Sequence, residues 1–445
     1  MAEPARIEAR LSTFDTAMVV FSLVVGIGIF RTPAIVASAT GSRPLFFAAW
    51  VIGGLVSLAG ALTFAEIGAR HPRAGGYYRV VADCYHPALA FALNWSQALM
   101  QGAGAAGVAF IGAEYLAPIV LPAAWRTPMA PLILALATML VLLTLNYRGV
   151  RFGARTQNLL STLKIAMIVA LALTAFALAP RAPAPMAPPQ GGALLRLSSA
   201  LIPCFYAFGG YQLTMNLGAD VKDARSRLPR AISYGMLTVL VLYLLLNVAY
   251  ERVLGIDGIG RSTLVAASLA HAAFGSLAEM AVSVMVFLSA AGFVNATIMQ
   301  MPRSFLAMAQ DGVLPRAFLR VNPGTQTQEV GLLFFGATML IPALVLGSFE
   351  RLMNYVMATD TLTLAVVAST LFVLRHRSAG PVGFAVPAYP LLPAIYVLVL
   401  LTVAASVFAG TPLVACAALA IQIAGWPLYV LGRRLFARPG GSAPA

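Results

Sequence analysis

The stretch Val24-Val25-Gly26-Ile27-Gly28-Ile29-Phe30 lies in the first long apolar run of a 445-residue chain, and two glycines interrupt that run. In lipid an unpaired backbone amide or carbonyl is costly, so a helix breaks at membrane depth only where protein or a water-filled cavity supplies partners. A helix that restarts at Gly28 offers free amides and the positive end of its dipole, which suit a carboxylate. The stretch therefore predicts a broken membrane helix at a binding site. Close helix packing at the glycines is the alternative.

The composition is that of a membrane protein. The chain is 60% hydrophobic and 10% charged, with a mean hydropathy of +0.86, whereas soluble domains carry about 25% charged residues. The formal net charge of +14 is spread over short loops rather than gathered in a basic stripe, which argues against nucleic acid as a partner. Three cysteines and four histidines lie far apart, so we expect no disulfide framework, metal site or cofactor.

Twelve apolar runs predict an all-α integral membrane protein with twelve transmembrane helices. They are residues 15–39, 44–69, 86–117, 129–146, 156–179, 198–218, 230–250, 279–308, 329–347, 352–374, 389–408 and 412–432. If the N-terminus is cytoplasmic, 20 of the 29 basic residues fall on the cytoplasmic side and 8 on the other. The positive-inside rule then places both termini in the cytoplasm. We expect a multi-pass protein of the plasma membrane, the bacterial inner membrane.

A second glycine-marked interruption lies in the sixth predicted span, at Phe205-Tyr206-Ala207-Phe208-Gly209-Gly210-Tyr211. Each interruption falls in the first span of a set of five, and because five is odd the second set is inverted. Paired interruptions in inverted halves predict a midplane binding site, as in secondary carriers. The predicted divisions are a cytoplasmic N-terminal tail (1–14), a first five-helix repeat (15–179), an extracellular proline-rich loop (180–197), a second, inverted repeat (198–375), two peripheral helices, the eleventh and twelfth (376–432), and a cytoplasmic C-terminal tail (433–445).

Several motifs resemble the amino acid-polyamine-organocation superfamily, within it the L-type amino acid transporters and their bacterial relatives. They are VVGIGIF at Val24 to Phe30, the segment from Trp50 to Gly76 with FAEIGAR and PRAGG, NYRGVRFGARTQN at Asn146 to Asn158, Ala207 to Ile232, and Asn295 to Gly312. The resemblance covers the first eight spans and, more loosely, the tenth. It implies a LeuT-type fold of five plus five inverted helices, with helices 1 and 6 discontinuous.

The resemblance also implies roles for individual residues. The amides of Ile27 and Gly28 are expected to hold a substrate carboxylate, and carbonyls of the two interrupted stretches its ammonium group. The expected ammonium ligands are Val24, Tyr206, Ala207 and Gly209, and the complete expected substrate-binding set is Val24, Gly26, Ile27, Gly28, Ile29, Tyr206, Ala207, Phe208, Gly209, Gly210 and Asp360. Tyr206 falls where the family has an aromatic outer gate. Ile27 stands where the family has a serine, and this loss of a hydroxyl affects carboxylate affinity or the smallest substrate tolerated.

Two ionisable residues lie deep in predicted spans, where a charge costs about 2.5–3.5 kcal/mol on the insertion scale. Lys164 lies in the fifth span, and the resemblance implies that it takes the place of a sodium ion between the broken first span and span eight. A fixed ammonium repels Na⁺, and a lysine shielded from water can also carry a proton. Snorkelling is its alternative. Asp360 in span ten can attract a cationic or hydroxylated side chain, serve proton coupling, or bond neighbouring helices.

Other polar residues are predicted to hold helices together. Asn94, Gln97 and Gln101 share one face of span three, which favours interhelical hydrogen bonds. Four acids lie at the cytoplasmic ends of spans beside arginines and are expected to form ion pairs or caps: Glu66, Asp220, Asp223 and Asp311.

The sequence thus predicts a sodium-independent secondary transporter of neutral L-amino acids that works by alternating access, either as an exchanger or coupled to protons. Because Asp360 is the one deep acid, a cationic amino acid or polyamine antiporter is the alternative. A channel does not need paired broken helices, and a membrane enzyme needs a converging His, Cys or carboxylate cluster. The expected partners are an amino acid, membrane lipid and, in the coupled case, protons, with no nucleic acid and no obligatory partner subunit.

Overall fold

A computed structural model describes residues 9–26, 28–72, 75–177, 192–262, 264–346, 349–377, 383–410 and 412–436. Within these ranges the chain forms fifteen α-helices and no β-sheet. The helices are α1 (Thr13–Val24), α2 (Gly28–Thr40), α3 (Arg43–Arg70), α4 (Gly76–Cys84), α5 (Pro87–Val120), α6 (Ala130–Tyr147), α7 (Val150–Ala177), α8 (Ala193–Ala207), α9 (Ala224–Arg261), α10 (Val265–Phe274), α11 (Ser276–Gln310), α12 (Glu329–Leu346), α13 (Phe349–Arg377), α14 (Leu391–Gly410) and α15 (Pro412–Phe436). Most of the proline-rich loop predicted at 180–197 lies outside the described residues.

Eight helical segments of the described chain are long and apolar enough to cross a membrane. They are Thr13–Thr40, Arg43–Arg70, Pro87–Val120, Ala130–Tyr147, Val150–Leu173, Ala193–Leu217, Ala224–Arg261 and Ser276–Gln310. Shorter apolar helices follow at Glu329–Leu344 and Leu391–Ser406. These segments confirm that the chain is a helical, multi-pass membrane protein. The short helices α4 and α10 were not predicted, because neither is long enough to give a spanning run.

The helix is interrupted at both glycine-marked stretches. We call residues 24–27, from the last residue of α1 to the start of α2, the first break; Ile27 is outside the described residues. The second break is residues 207–210, from the last residue of α8 to the start of a 3-10 helix, Tyr211–Leu217. Gly210 has a φ of 117°, which only glycine adopts readily. The backbone therefore leaves the helical path at two places inside apolar segments.

The end of the bundle at which α1 begins is closed. Ser12 and Asp15 form a reciprocal capping box at the start of α1, which fixes where the chain enters the helix. Just before it, Leu11 pairs with Val221 in an isolated parallel bridge. Beside that bridge the guanidinium of Arg303 donates to both carboxylate oxygens of Asp220 at 3.0 and 3.1 Å. Both side chains are buried, so this pair seals the closed end with little access for water.

The other acids predicted to pair at this end also have basic partners. Glu66, fully buried, accepts from Arg70 at 2.7 Å and Arg375 at 2.6 Å. Arg79 pairs with Asp311 at 2.5 Å, and Asp223 pairs with Arg227 at 3.0 Å. The predicted ion pairs are therefore confirmed. Two of them cross between helices, Glu66–Arg375 from α3 to α13 and Arg79–Asp311 from α4 to the end of α11, so moving these helices apart at this end requires both pairs to separate.

Candidate functional site

A cavity of about 640 Å³ lies between the two breaks. Its lining includes residues from both breaks and the helices that flank them: Val24, Gly26, Gly28, Tyr206, Ala207, Gly209 and Gly210. It extends to Arg31, Ile35 and Ser199, which are exposed and lie on the side of the breaks away from the closed end. The volume lies within the range of about 300–1,000 Å³ usual for small-molecule sites. The structure therefore brings the two sequence-predicted stretches together at one accessible cavity.

Glycines allow the two breaks to touch. A Cβ on Gly28 would lie 3.1 Å from the Cα of Ala207. A Cβ on Gly210 would overlap the carbonyl oxygen of Leu23 and lie 2.7 Å from its carbon. Both distances are shorter than ordinary carbon contacts. The backbones of the two interrupted segments are thus in direct contact, and a side chain at either glycine would force them apart.

Three consecutive carbonyls at the first break are each held by a side chain from a different helix. Val24 O accepts from the hydroxyl of Tyr243 on α9 at 3.2 Å. Val25 O accepts from the ammonium of Lys164 on α7. Gly26 O accepts from the hydroxyl of Ser289 on α11 at 3.2 Å. These donors supply the hydrogen bonds that a broken helix must find inside an apolar layer.

Tyr243 connects the two breaks. Its hydroxyl lies 3.2 Å from Val24 O and 3.1 Å from Ala207 O, and its single proton is shared between them. The ring is fully buried, with its centroid 4.9 Å from that of Phe208 and 6.0 Å from that of Trp50. Because both carbonyls accept from the same hydroxyl, Tyr243 fixes their separation. Both are expected ligands of the substrate ammonium group. The sequence analysis did not identify Tyr243, because a tyrosine in an apolar helix is most often a packing residue.

Lys164 lies where the resemblance implied, between the first break and α11. Its side chain is 1% exposed, so it does not snorkel to the membrane surface. The ammonium nitrogen is 5.9 Å from the ring centroid of Phe21, and a Cβ on Gly292 of α11 would lie 3.5 Å from it. One turn earlier on α7, the hydroxyls of Ser161 and Ser22 are 2.8 Å apart. Polar contacts therefore join α7 to α1 over two helical turns.

Asp360 lines the cavity on the side of α13. Gln97 of α5 donates to its Oδ1 at 3.2 Å, which confirms one of the interhelical bonds predicted for span three. Asn94 supplies a second, since it donates to the sulfur of Met308 at 2.9 Å. Within the described chain no arginine, lysine or histidine forms an ion pair with Asp360. The site thus contains one acid held by a neutral amide.

Not every expected site residue lines the cavity. Ile29 and Phe208 are fully buried and lie outside the cavity lining in the described part of the chain. The carbonyl of Tyr206, an expected ammonium ligand, accepts from the amide of Gly209 at 3.0 Å. Ile27, whose amide is expected to hold the carboxylate, lies outside the described residues. The remaining expected residues, with Asp360, surround the space between the breaks.

The sequence of the chain is similar to those of known membrane proteins. The profile of the amino acid permease family matches residues 11–427. The serine/threonine exchanger SteT of Bacillus subtilis is 26% identical over 423 residues, which cover 92% of this chain and 93% of SteT. The human Asc-type amino acid transporter 1 is 26% identical over 97% of this chain and 83% of its own length. The human large neutral amino acids transporter small subunit 2 is 27% identical, with coverages of 92% and 77%.

Proposed function

The chain belongs to the amino acid permease family, and we propose that it carries neutral L-amino acids across the membrane by alternating access, independently of sodium. One observation carries this proposal: two broken helices meet at a single cavity, and backbone carbonyls of both breaks gather around Tyr243. A free amino acid has a carboxylate and an ammonium group, and both need partners when they leave water. Helix amides suit the first group and clustered carbonyls the second.

The position of Lys164 supports sodium independence. Its ammonium donates to Val25 O and lies against Gly292, so a positive charge already occupies the space between the first break and α11. A sodium ion placed there would be repelled at short range in a poorly screened interior. Exchange and proton-coupled uptake are both compatible with this arrangement, and the name of the SteT relative favours exchange.

The topology that we propose is the LeuT type. It has twelve transmembrane helices, of which the first ten form two inverted sets of five, and the breaks lie in helices 1 and 6. The positions of the two breaks, in α1–α2 and at the end of α8, support it. We further propose that the closed end faces the cytoplasm of a plasma membrane, with both termini on that side. The cavity then opens outward.

The position of Asp360 favours the alternative substrate class, a cationic amino acid or polyamine. It is an acid in the cavity wall, and Gln97 rather than a cation holds it. A cationic side chain would neutralise this carboxylate, and a hydroxyl would donate to it. One acid is sufficient for one positive charge, so a cationic amino acid or polyamine remains the second candidate. Neutral substrates remain the first candidate, because one relative is named a serine/threonine exchanger and another a large neutral amino acids transporter.

The proposed function is tested with the purified chain in liposomes. We expect saturable uptake of a labelled neutral amino acid that is the same in sodium and in choline buffer and is accelerated by a preloaded neutral amino acid. Competition by each of the twenty amino acids ranks the substrates and separates neutral from cationic classes. Uptake that requires sodium, or that fails to saturate, would contradict the proposal. Because only this chain is present, the assay also shows whether it works without a second subunit; one relative is named a small subunit.

A further inference from the structure

Helix α14 reaches the cavity, although the sequence places it among the peripheral helices. Its Tyr396 is fully buried, and both Tyr396 and Val403 belong to the cavity lining. The ring of Tyr396 lies 6.2 Å from that of Phe205, which precedes the second break on α8. A helix beyond the two five-helix sets therefore forms part of the wall around the predicted substrate site.

A hydrogen bond ties Tyr396 to the second break. The hydroxyl of Tyr211 donates to the hydroxyl oxygen of Tyr396 at 2.9 Å. Tyr211 directly follows Gly210, the residue with a φ of 117°, and it is the first residue of the 3-10 helix. The bond thus holds the chain at the point where the second break ends.

Helix α3 leaves space for the Tyr211–Tyr396 pair. A Cβ on Gly60 would overlap the Tyr211 hydroxyl and lie 2.6 Å from Cζ of Tyr396. One turn along α3, the ring of Phe64 meets both tyrosine rings edge to face, at 6.1 and 6.2 Å, an arrangement that aromatic pairs favour. The gap at Gly60 and the ring of Phe64 fix the two hydroxyls in place.

We propose that Tyr396 is a positioning residue of the substrate site, which acts through Tyr211 to hold the second break in its binding geometry. This inference rests on the proposed function, because the carbonyls of Ala207 and Gly209 at that break are the expected ammonium ligands. A segment without regular helical bonds needs side-chain anchors to keep its carbonyls aimed. Tyr243 anchors Ala207 from one side, and the Tyr211–Tyr396 pair anchors the other end of the break.

The test compares Tyr396→Phe with Tyr250→Phe. The control also loses a hydroxyl from a fully buried tyrosine, but that hydroxyl has no partner in the described structure. In liposomes, we expect Tyr396→Phe to raise the half-saturation concentration about two- to tenfold, the range of one net hydrogen bond, with the maximal rate within about twofold of wild type. The increase is expected to be equal for small and large neutral substrates, since the break holds the ammonium group common to all. Tyr250→Phe is expected to match wild type.

A second variant and a second measurement separate this inference from the proposed function. Tyr211→Phe removes the same bond from its other end, and we expect the double variant to be no worse than either single one. Hydrogen exchange of the amides at 208–217 is expected to be faster in both single variants and unchanged in Tyr250→Phe, whether or not the protein transports amino acids. Unchanged hydrogen exchange in both Tyr396→Phe and Tyr211→Phe would overturn the inference. Absence of wild-type uptake with faster exchange in the variants would overturn only the proposed function.

Discussion

Replacement of Lys164 by methionine isolates the ammonium group at the first break. Methionine retains an unbranched side chain of similar length, so the space between α1, α7 and α11 stays filled. The substitution removes the donor to Val25 O and a buried positive charge. The chain contains one other lysine, Lys222, whose side chain is exposed. Lys222→Met therefore removes the same charge from the protein without touching the break.

The contacts of Lys164 set the size of the expected effect. A buried carbonyl that loses its donor costs about 1–3 kcal/mol, and every 1.4 kcal/mol is about a factor of ten. The arrangement that holds Val25 is then disfavoured roughly 5- to 150-fold. The free energy of unfolding is expected to change less or to rise, because the substitution also removes the cost of burying a charged group. We therefore expect uptake to fall about 5- to 150-fold while the thermal midpoint stays equal or rises.

The assay is sodium-free exchange of a labelled neutral amino acid in liposomes, with thermal unfolding measured on the same preparations. Lys222→Met is expected to behave as wild type in both. If Lys164→Met retains wild-type exchange, the lysine has no part in holding the first break for transport. If exchange and thermal midpoint fall together, Lys164 is a stability residue, and the specific role in transport proposed for it is wrong.

Three further variants probe the cavity. Tyr243→Phe is expected to raise the half-saturation concentration for every amino acid by about five- to tenfold through loss of the bond that joins the breaks, whereas Tyr250→Phe on the same helix leaves it unchanged. Asp360→Asn is expected to change the ranking in a competition panel of neutral and cationic amino acids; an unaltered ranking would make the acid structural. Gly28→Ala is expected to reduce substrate binding about fivefold or more, because its methyl group would lie 3.1 Å from the Cα of Ala207 and overpacking costs about 1–3 kcal/mol. Gly192→Ala, with no atom within 4 Å of the added carbon, is expected to leave binding at the wild-type level.

The sequence predicts the two breaks because their signals are local. Gly26 and Gly28 interrupt one apolar run, and Gly209 and Gly210 interrupt another. The sequence alone therefore locates both breaks within a few residues. Lys164 is equally visible, since a charge near the middle of an apolar run stands out against its neighbours. The membrane class follows in the same way from the length of the runs.

The partners of the broken backbone were not predictable, because they come from remote parts of the chain. Tyr243 is 219 residues from Val24, Ser289 is 263 residues from Gly26, and Tyr396 is 185 residues from Tyr211. Each is a tyrosine or serine in an apolar helix, where an ordinary packing role gives the same local pattern. Only the packing of α9, α11 and α14 against the breaks reveals which hydroxyls serve the backbone.

The first break explains how one segment can be both stable and movable. Its three carbonyls are held from α9, α7 and α11, so α1 cannot shift relative to these helices unless some of these bonds are released. Release of Val25 O or Gly26 O costs about 1–3 kcal/mol if the carbonyl finds no other donor, whereas Val24 O also accepts from the amide of Gly26 at 2.9 Å. A bound ammonium group is such a donor, and it becomes available only when substrate fills the cavity. Under the proposed function, this arrangement would couple the movement of α1 to bound substrate, which is what an exchanger requires of its binding site.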